Sequence, residues 1–450
     1  MQVLDATKAD GLQTQTRWSF RLALVCFAAV SVSLPMAWIS LAKLALFAAS
    51  LAYLLAPLAK PRISFEPAFD TKAAKTLITG WADLWTVKVI LVTCAAFALS
   101  LLWSQVPLDE AVTVWIKHAK LLEIVLLIYL VRSRFEAKTA MTAFVLGQAL
   151  LMLTSWLLVL GVPVPWGDQF QGRYVVFSSY LDQSIMFSAS AAVFWHLRAS
   201  TKAPPWLGAL LAVAALANVL LFLEGRTGYV VGLTVVGLVT FWALPRRWRF
   251  AGVLVVPCAL VLGLWLGPTS FQARVLKMLP EGQAYATASA KESSTGWRLN
   301  AWHRSVQAIG QSPWMGHGVG SWTPTVKKLE GDAAIKTFGQ GNASNPHQEY
   351  LLWAVELGVV GGLLLLALLA SIARDASLFA TPVKRSTWSV LAALGIACLF
   401  NSALYDGLIG DFFVIALGLL LALGLHTGGA ESAEPAELTE PMEPMKQATA

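Results

Sequence analysis

Apolar runs of roughly twenty residues recur along almost the whole chain, and in hydrocarbon only a helix satisfies its own backbone over such a length. That constraint leaves few alternatives. The chain is 57% hydrophobic, carries 13% charged residues and has a mean hydropathy of +0.63, well above a soluble domain. Spans are predicted at 19–34, 36–59, 81–102, 112–131, 139–161, 180–197, 206–223, 227–244, 250–267, 349–373, 386–404 and 411–426. The expected fold is an all-α polytopic membrane protein of about 12 transmembrane helices.

Charge between the spans sets the orientation. Lys60, Arg62, Lys72 and Lys75, then Arg132, Arg134 and Lys138, then Arg198 and Lys202, then Arg246, Arg247 and Arg249, then Arg374, Lys384 and Arg385 all fall on one side. The positive-inside rule makes that side cytoplasmic, with both termini. The net charge of +7 is spread among these loops, which argues against nucleic acid as a partner. Residues 2–17 are polar and run into two successive apolar stretches, so a cleaved leader is not expected. Cys26, Cys94, Cys258 and Cys398 lie in apolar runs without metal-site spacing, and neither disulfide nor zinc is expected. The chain divides into helices one to nine over 1–267, a helical periplasmic segment over 268–348, helices ten to twelve over 349–426, and a tail over 427–450. The tail is rich in Glu, Pro and Ala and is expected to be disordered.

The opposite side receives 161–179, the turn EGRTG, the long segment 268–348 and the turn YDGLIGD, and an active site is expected there. In the long segment, STGWRLNAWHRSVQAIG reads as a helix from Ser294 to about Ile309, with Ser294 and Thr295 as possible caps. Gly316, Gly318 and Gly320 then read as a flexible turn, not a phosphate loop, since no strand precedes them. A second short helix is expected after Trp322. At 100° per residue, Trp297, Ala301, Trp302, Val306 and Ile309 share one half of the first helix, with Arg298 in its middle. Asn300, His303, Arg304 and Gln307 fill the other, solvated half.

Four residues break the pattern. Arg298, a guanidinium among tryptophans, must either snorkel or meet an anion, and its planar donors suit phosphate. Arg226 starts a span, where a cation opposes the helix dipole but an anion would be welcome; its structural alternative is pairing with Glu224. Arg173 is a weaker anion contact, with Asp168 or Asp182 as alternative partners. His347 falls in NPHQ, where Asn345 reads as a cap, Pro346 as the first helical residue and Gln348 as the third, putting His347 in the first turn and keeping it neutral. A lone histidine is more often structural. Glu356, deeper in that span, reads as neutralised by a partner helix, and the Asp406 and Asp411 turn is ambiguous. Three arginines and a neutral histidine on one membrane face would suit a polyanionic group such as a lipid-linked diphosphate.

The motif from His347 carries a resemblance. His347, Gln348, nine residues EYLLWAVEL, Gly358, two valines and Gly361 are similar to the most specific pattern of the O-antigen ligase family. GRTG with Arg226 and WRLNAWHRSVQAIGQSPWMGHGVG with Arg298 look like that family's arginine segments. The resemblance implies a GT-C-like glycosyltransferase in the inner membrane of a Gram-negative bacterium. It would move polysaccharide from undecaprenyl diphosphate to a sugar hydroxyl of lipid A-core on the periplasmic face, inverting the anomeric carbon. Neither metal nor cofactor is implied. Arg226 and Arg298, with Arg173 as a weaker contact, would hold the diphosphate, and His347 would be the general base. An O-antigen polymerase or a protein O-oligosaccharyltransferase shares the domain, and a lipid or polysaccharide transporter is a rival of another class.

Overall fold

The computed structural model describes residues 20–59, 80–164, 166, 173–267, 272, 276, 294–330 and 345–427. The basic loop 60–79, the tail beyond 427 and the Ser294 and Thr295 side chains lie outside the described residues. No strand occurs among the described residues. The helices in chain order are α1 (Phe20–Ser31), α2 (Met36–Ala59), α3 (Trp85–Leu99), α4 (Leu108–Ala119), α5 (Leu122–Leu130), α6 (Arg134–Val159), α7 (Tyr180–Leu197) and α8 (Pro205–Ala217). They continue as α9 (Arg226–Ala243), α10 (Arg249–Leu266), α11 (Ser294–Gln311), α12 (Trp322–Glu330), α13 (Glu349–Leu357), α14 (Val359–Ser377), α15 (Thr381–Phe400) and α16 (Gly407–Thr427).

Nine helices among the described residues are long and apolar enough to cross a membrane. Three of the twelve predicted runs fall short, each for a local reason. α1 is short, the run over 112–131 breaks at Lys120 and Leu121 between α4 and α5, and α7 carries serines at 184, 188 and 190. The serines are buried and bonded: Ser188 Oγ donates to the Gly228 carbonyl and Ser190 Oγ to Gln148 Oε1. α7 thus reads as polar because it packs among protein, against α8, α9 and α15. α16 is the converse case. It is apolar on every side and almost completely buried, packed between α5, α6 and α15.

The predicted span 349–373 is two helices, and the second glycine motif explains why. Gly358 has φ 65° and ψ −151°, a region open only to glycine, and ends α13 before α14 begins. The break receives the outer loop. His317 N–H donates to the Val355 carbonyl at 2.9 Å, Gly318 N–H to Glu356 at 2.9 Å, and Val359 N–H to Pro313 at 2.7 Å. A Cβ on Gly316 would meet the Glu356 backbone at 2.4 Å. The glycines expected to form a flexible turn are therefore clamped. Glu356 completes the clamp, accepting from Gly320 N–H and contacting His118 Nε2, each at 2.8 Å, so its partner is a neighbouring helix as anticipated.

Opposite ends of the bundle are tied separately. At one end, Asp375 of α14 accepts from the N–H groups of Trp85 and Thr86, capping α3. At the other, Ser104 beyond α3 donates to the Val319 carbonyl at 2.7 Å. The segment 313–321, the break between α13 and α14 and the end of α3 thus share one end.

Candidate functional site

Three separated segments converge around His347. Asn345 forms an Asx turn, its Oδ1 accepting from the His347 N–H at 2.8 Å. Gln348, not Asn345, caps the helix by accepting from Leu351 N–H, and α13 begins at Glu349. His347 therefore stands before the helix instead of inside its first turn, with φ 50°. The capping-box pattern placed the helix start three residues early because Asn345 uses its side chain on its own turn. A non-glycine residue in the left-handed region is a strained choice that tends to mark function.

The ring itself is held on three sides. Its Nδ1 lies 3.1 Å from Asn401 Oδ1, so the neutral imidazole carries its proton on Nδ1 and leaves the Nε2 lone pair free. Trp297 of α11 meets the ring edge to face, with centroids 5.0 Å apart. Trp302 Nε1 donates to the Pro346 carbonyl at 3.1 Å. Burial lowers the imidazole pKa, the Asn401 contact raises it, and the Arg298 charge lowers it again. Neutrality was expected from the helix dipole; the cause is burial together with Arg298.

Arg298 links the site. Burial pushes its pKa down, Tyr180 pulls it up, Arg226 pushes it down and Asp406 pulls it up. Arg298, Arg226 and His347 thus share one electrostatic neighbourhood although 121 positions of sequence separate the outermost two. Arg226 is the first residue of α9, following a π turn over Asn218–Phe222 that Asn218 ties to Ser155. Arg173 is exposed in the turn before α7 and is not among the charges acting on Arg298 or His347.

The wheel of α11 needs correction. Its buried face is Asn300, Ala301, Ser305 and Ala308, while Val306 is 59% exposed. Small residues let the helix sit close, and Trp322 Nε1 donates to Ser305 Oγ at 2.8 Å across the contact. Trp297, Arg298 and Trp302 consequently lie on the edge of that face, turned toward the His347 segment. His303 and Gln307 are exposed as expected.

One site residue escaped the sequence reading, and another was left ambiguous there. Asn401 follows α15 with no local pattern to distinguish it from an ordinary turn residue, and Asp406, in the outer turn left open between structure and function, precedes α16. Glu349 fixes their turn, its Oε2 accepting from the N–H groups of Leu404 and Tyr405 at 2.9 and 3.2 Å. Asp406 Oδ1 accepts from Asn345 Nδ2 at 3.2 Å. Burial, then the Asp182 and Glu349 charges, raise the Asp406 carboxyl to about 7, with Lys120 and Lys117 opposing. Chemically the site offers two guanidinium groups for a polyanion, a free imidazole nitrogen and a carboxyl poised near neutrality.

No curated protein matches the chain. A family model described as O-antigen ligase matches residues 209–366, an interval that holds Arg226, Arg298, His347, Gly358 and Gly361. Asn401 and Asp406 lie beyond it. With its motif residues inside that interval, the chain carries, over residues 209–366, the domain of the O-antigen ligase family.

Proposed function

We propose that the protein is an O-antigen ligase, transferring polysaccharide from undecaprenyl diphosphate to a sugar hydroxyl of lipid A-core on the periplasmic face of a Gram-negative inner membrane. The observation that carries this reading is the shared neighbourhood of Arg226, Arg298 and His347 at one end of a membrane-spanning bundle, all three within the matched domain. Arg226 and Arg298 hold the donor diphosphate, and their charge stabilises it as it departs. His347 Nε2 takes the proton of the acceptor hydroxyl as that oxygen attacks the anomeric carbon. The bond to the diphosphate breaks on the opposite face, and the configuration inverts. Arg173 is a peripheral donor contact, reached only if the donor extends toward the turn before α7.

The domain boundaries follow the same logic. The helices to residue 267 and beyond 349 form the scaffold, and 268–348 brings Arg298 to the donor. The decisive experiment incubates purified protein with lipid-linked polysaccharide and lipid A-core and scores glycosylated core. Product without added nucleotide or divalent ion is the expected result. Elongated lipid-linked polysaccharide in its place would identify a polymerase, and a glycosylated periplasmic protein an O-oligosaccharyltransferase. His347→Ala should abolish transfer and retain donor binding, whereas Arg298→Ala or Arg226→Ala should weaken donor binding as well. Full transfer by His347→Ala would remove the base assignment.

A further inference from the structure

A pocket next to the His347 segment shares Asp406 with it. A cavity of about 240 Å³ is lined by Lys43, Ile116, Lys117, Lys120, Tyr405 and Asp406. It belongs to the same end of the bundle, since the Asp406 carboxyl that lines it holds Asn345, and Asn345 in turn holds the His347 N–H. The start of α2 reaches the same level, with Met36 against Gly407. Ile116, which lines the cavity from α4, is 58% exposed.

Its lysines are unevenly paired. Lys43 lies 2.6 Å from Asp411 and 3.6 Å from Glu123, and Lys120 lies 3.7 Å from Asp411 while donating to the Asp406 carbonyl at 2.6 Å. Those two ammonium groups have carboxylates beside them. Lys117 makes no ion pair among the described residues; it donates to the Tyr405 hydroxyl at 3.1 Å and lies 4.3 Å from that ring. Three ammonium groups therefore face one small cavity against three carboxyls, Asp406 on its lining and Asp411 and Glu123 beside Lys43 and Lys120, and Lys117 is the one of the three lysines without an ion pair among the described residues. Lys117, beside the exposed Ile116, is the cation placed to meet an anion that arrives within the membrane plane. The volume is below the range for a whole drug-sized ligand and suits one headgroup substituent.

We propose that this cavity binds a phosphoryl group on the headgroup of the acceptor lipid, with Lys117 as the principal contact, and so delivers the acceptor sugar toward His347 across the Asn345–Asp406 contact. Naming the lipid as the acceptor rests on the transfer reading above; the anion site itself rests on the cavity. Lys43 and Lys120 form the floor with Asp411 and Glu123 beside them.

The test measures binding and transfer separately, with the full chain in nanodiscs of neutral lipid. Native mass spectrometry compares a phosphorylated acceptor glycolipid with its dephosphorylated form, on wild type, Lys117→Ala and Lys117→Gln. The wild type should favour the phosphorylated form by about tenfold, and both variants should reduce that ratio to about twofold or less, the loss of one charge-assisted contact. In transfer assays the same loss should fall on KM for the phosphorylated acceptor and leave KM for the donor unaltered. Equal effects of the variants on both acceptor forms would overturn the proposal. So would inorganic phosphate binding as tightly as the lipid, which would make this a site for free phosphate. A binding ratio that behaves as expected without transfer to any acceptor would remove the ligase reading alone. Transfer that proceeds normally with no phosphoryl preference would remove this inference alone.

Discussion

Asn401→Asp replaces the neutral acceptor 3.1 Å from His347 Nδ1 with a carboxylate at the same position. In the native site burial and the Arg298 charge hold the imidazole below its ordinary range, and Asn401 is the one influence raising it. A carboxylate within hydrogen-bond distance favours the imidazolium and should raise the pKa by roughly 1–3 units, about 1.4–4 kcal/mol. The proposed base would then be more protonated near pH 7, and initial transfer rates there should fall, by about tenfold where the raised pKa reaches about 8. The sign is specific. Rate should return as pH rises, because the acid limb of the profile moves upward with the pKa. Asn401→Ala makes the contrasting case: it strands the Nδ1 proton at a cost of about 1–3 kcal/mol and releases the tautomer, without an upward shift of the limb. The assay is the initial rate of polysaccharide transfer in nanodiscs across about two pH units on either side of neutrality. Superimposable profiles for wild type and Asn401→Asp would refute both the tautomer lock and the assignment of the limb to His347.

Other outcomes follow from the packing. Gly358→Ala should destabilise the protein by about 1–3 kcal/mol from backbone strain, with more from its 2.6 Å approach to the Pro313 carbonyl, read as a lower thermal midpoint; Gly362→Ala, with open space around its Cβ, is the control. Glu356→Ala leaves Gly320 N–H and His118 without their acceptor and should cost about 1–3 kcal/mol for each, with accelerated proteolysis of 313–321, whereas Glu356→Gln should retain much of the clamp. Because folding raises the Asp406 carboxyl from 3.8 to about 7, its contribution favours the fold at acid pH and is lost as pH rises through about 7. Asp406→Asn should flatten that part of the stability profile, by on the order of 4 kcal/mol at most; an unchanged slope would contradict the buried placement. Arg298→Lys should retain weakened donor binding and Arg298→Ala lose more, because the ammonium keeps charge but not the planar donors; equal KM values for donor would count against a bidentate diphosphate contact.

By itself the sequence determined the class of fold, since apolar runs of this length have no other stable form in a bilayer. It also singled out Arg226, Arg298 and His347, because a charge at a helix start, a guanidinium on an aromatic face and a histidine beside a span are each costly without a purpose. What it could not supply depends on contacts between distant segments. The Asn345 side chain chose its own turn over the helix cap, and only the tertiary setting selected that alternative. Gly358 and Gly361 stood in the sequence as motif positions; Gly358 proved to end a helix so that 313–320 could dock. Asn401 carries no local signature and Asp406 only an ambiguous one, because their roles come from Glu349 holding their turn against the His347 segment. Helical periodicity reports which face of one helix meets a neighbour, and it is silent about which neighbour. That choice, made by packing across the whole bundle, joins two arginines, a histidine and a buried carboxyl at one end of the molecule.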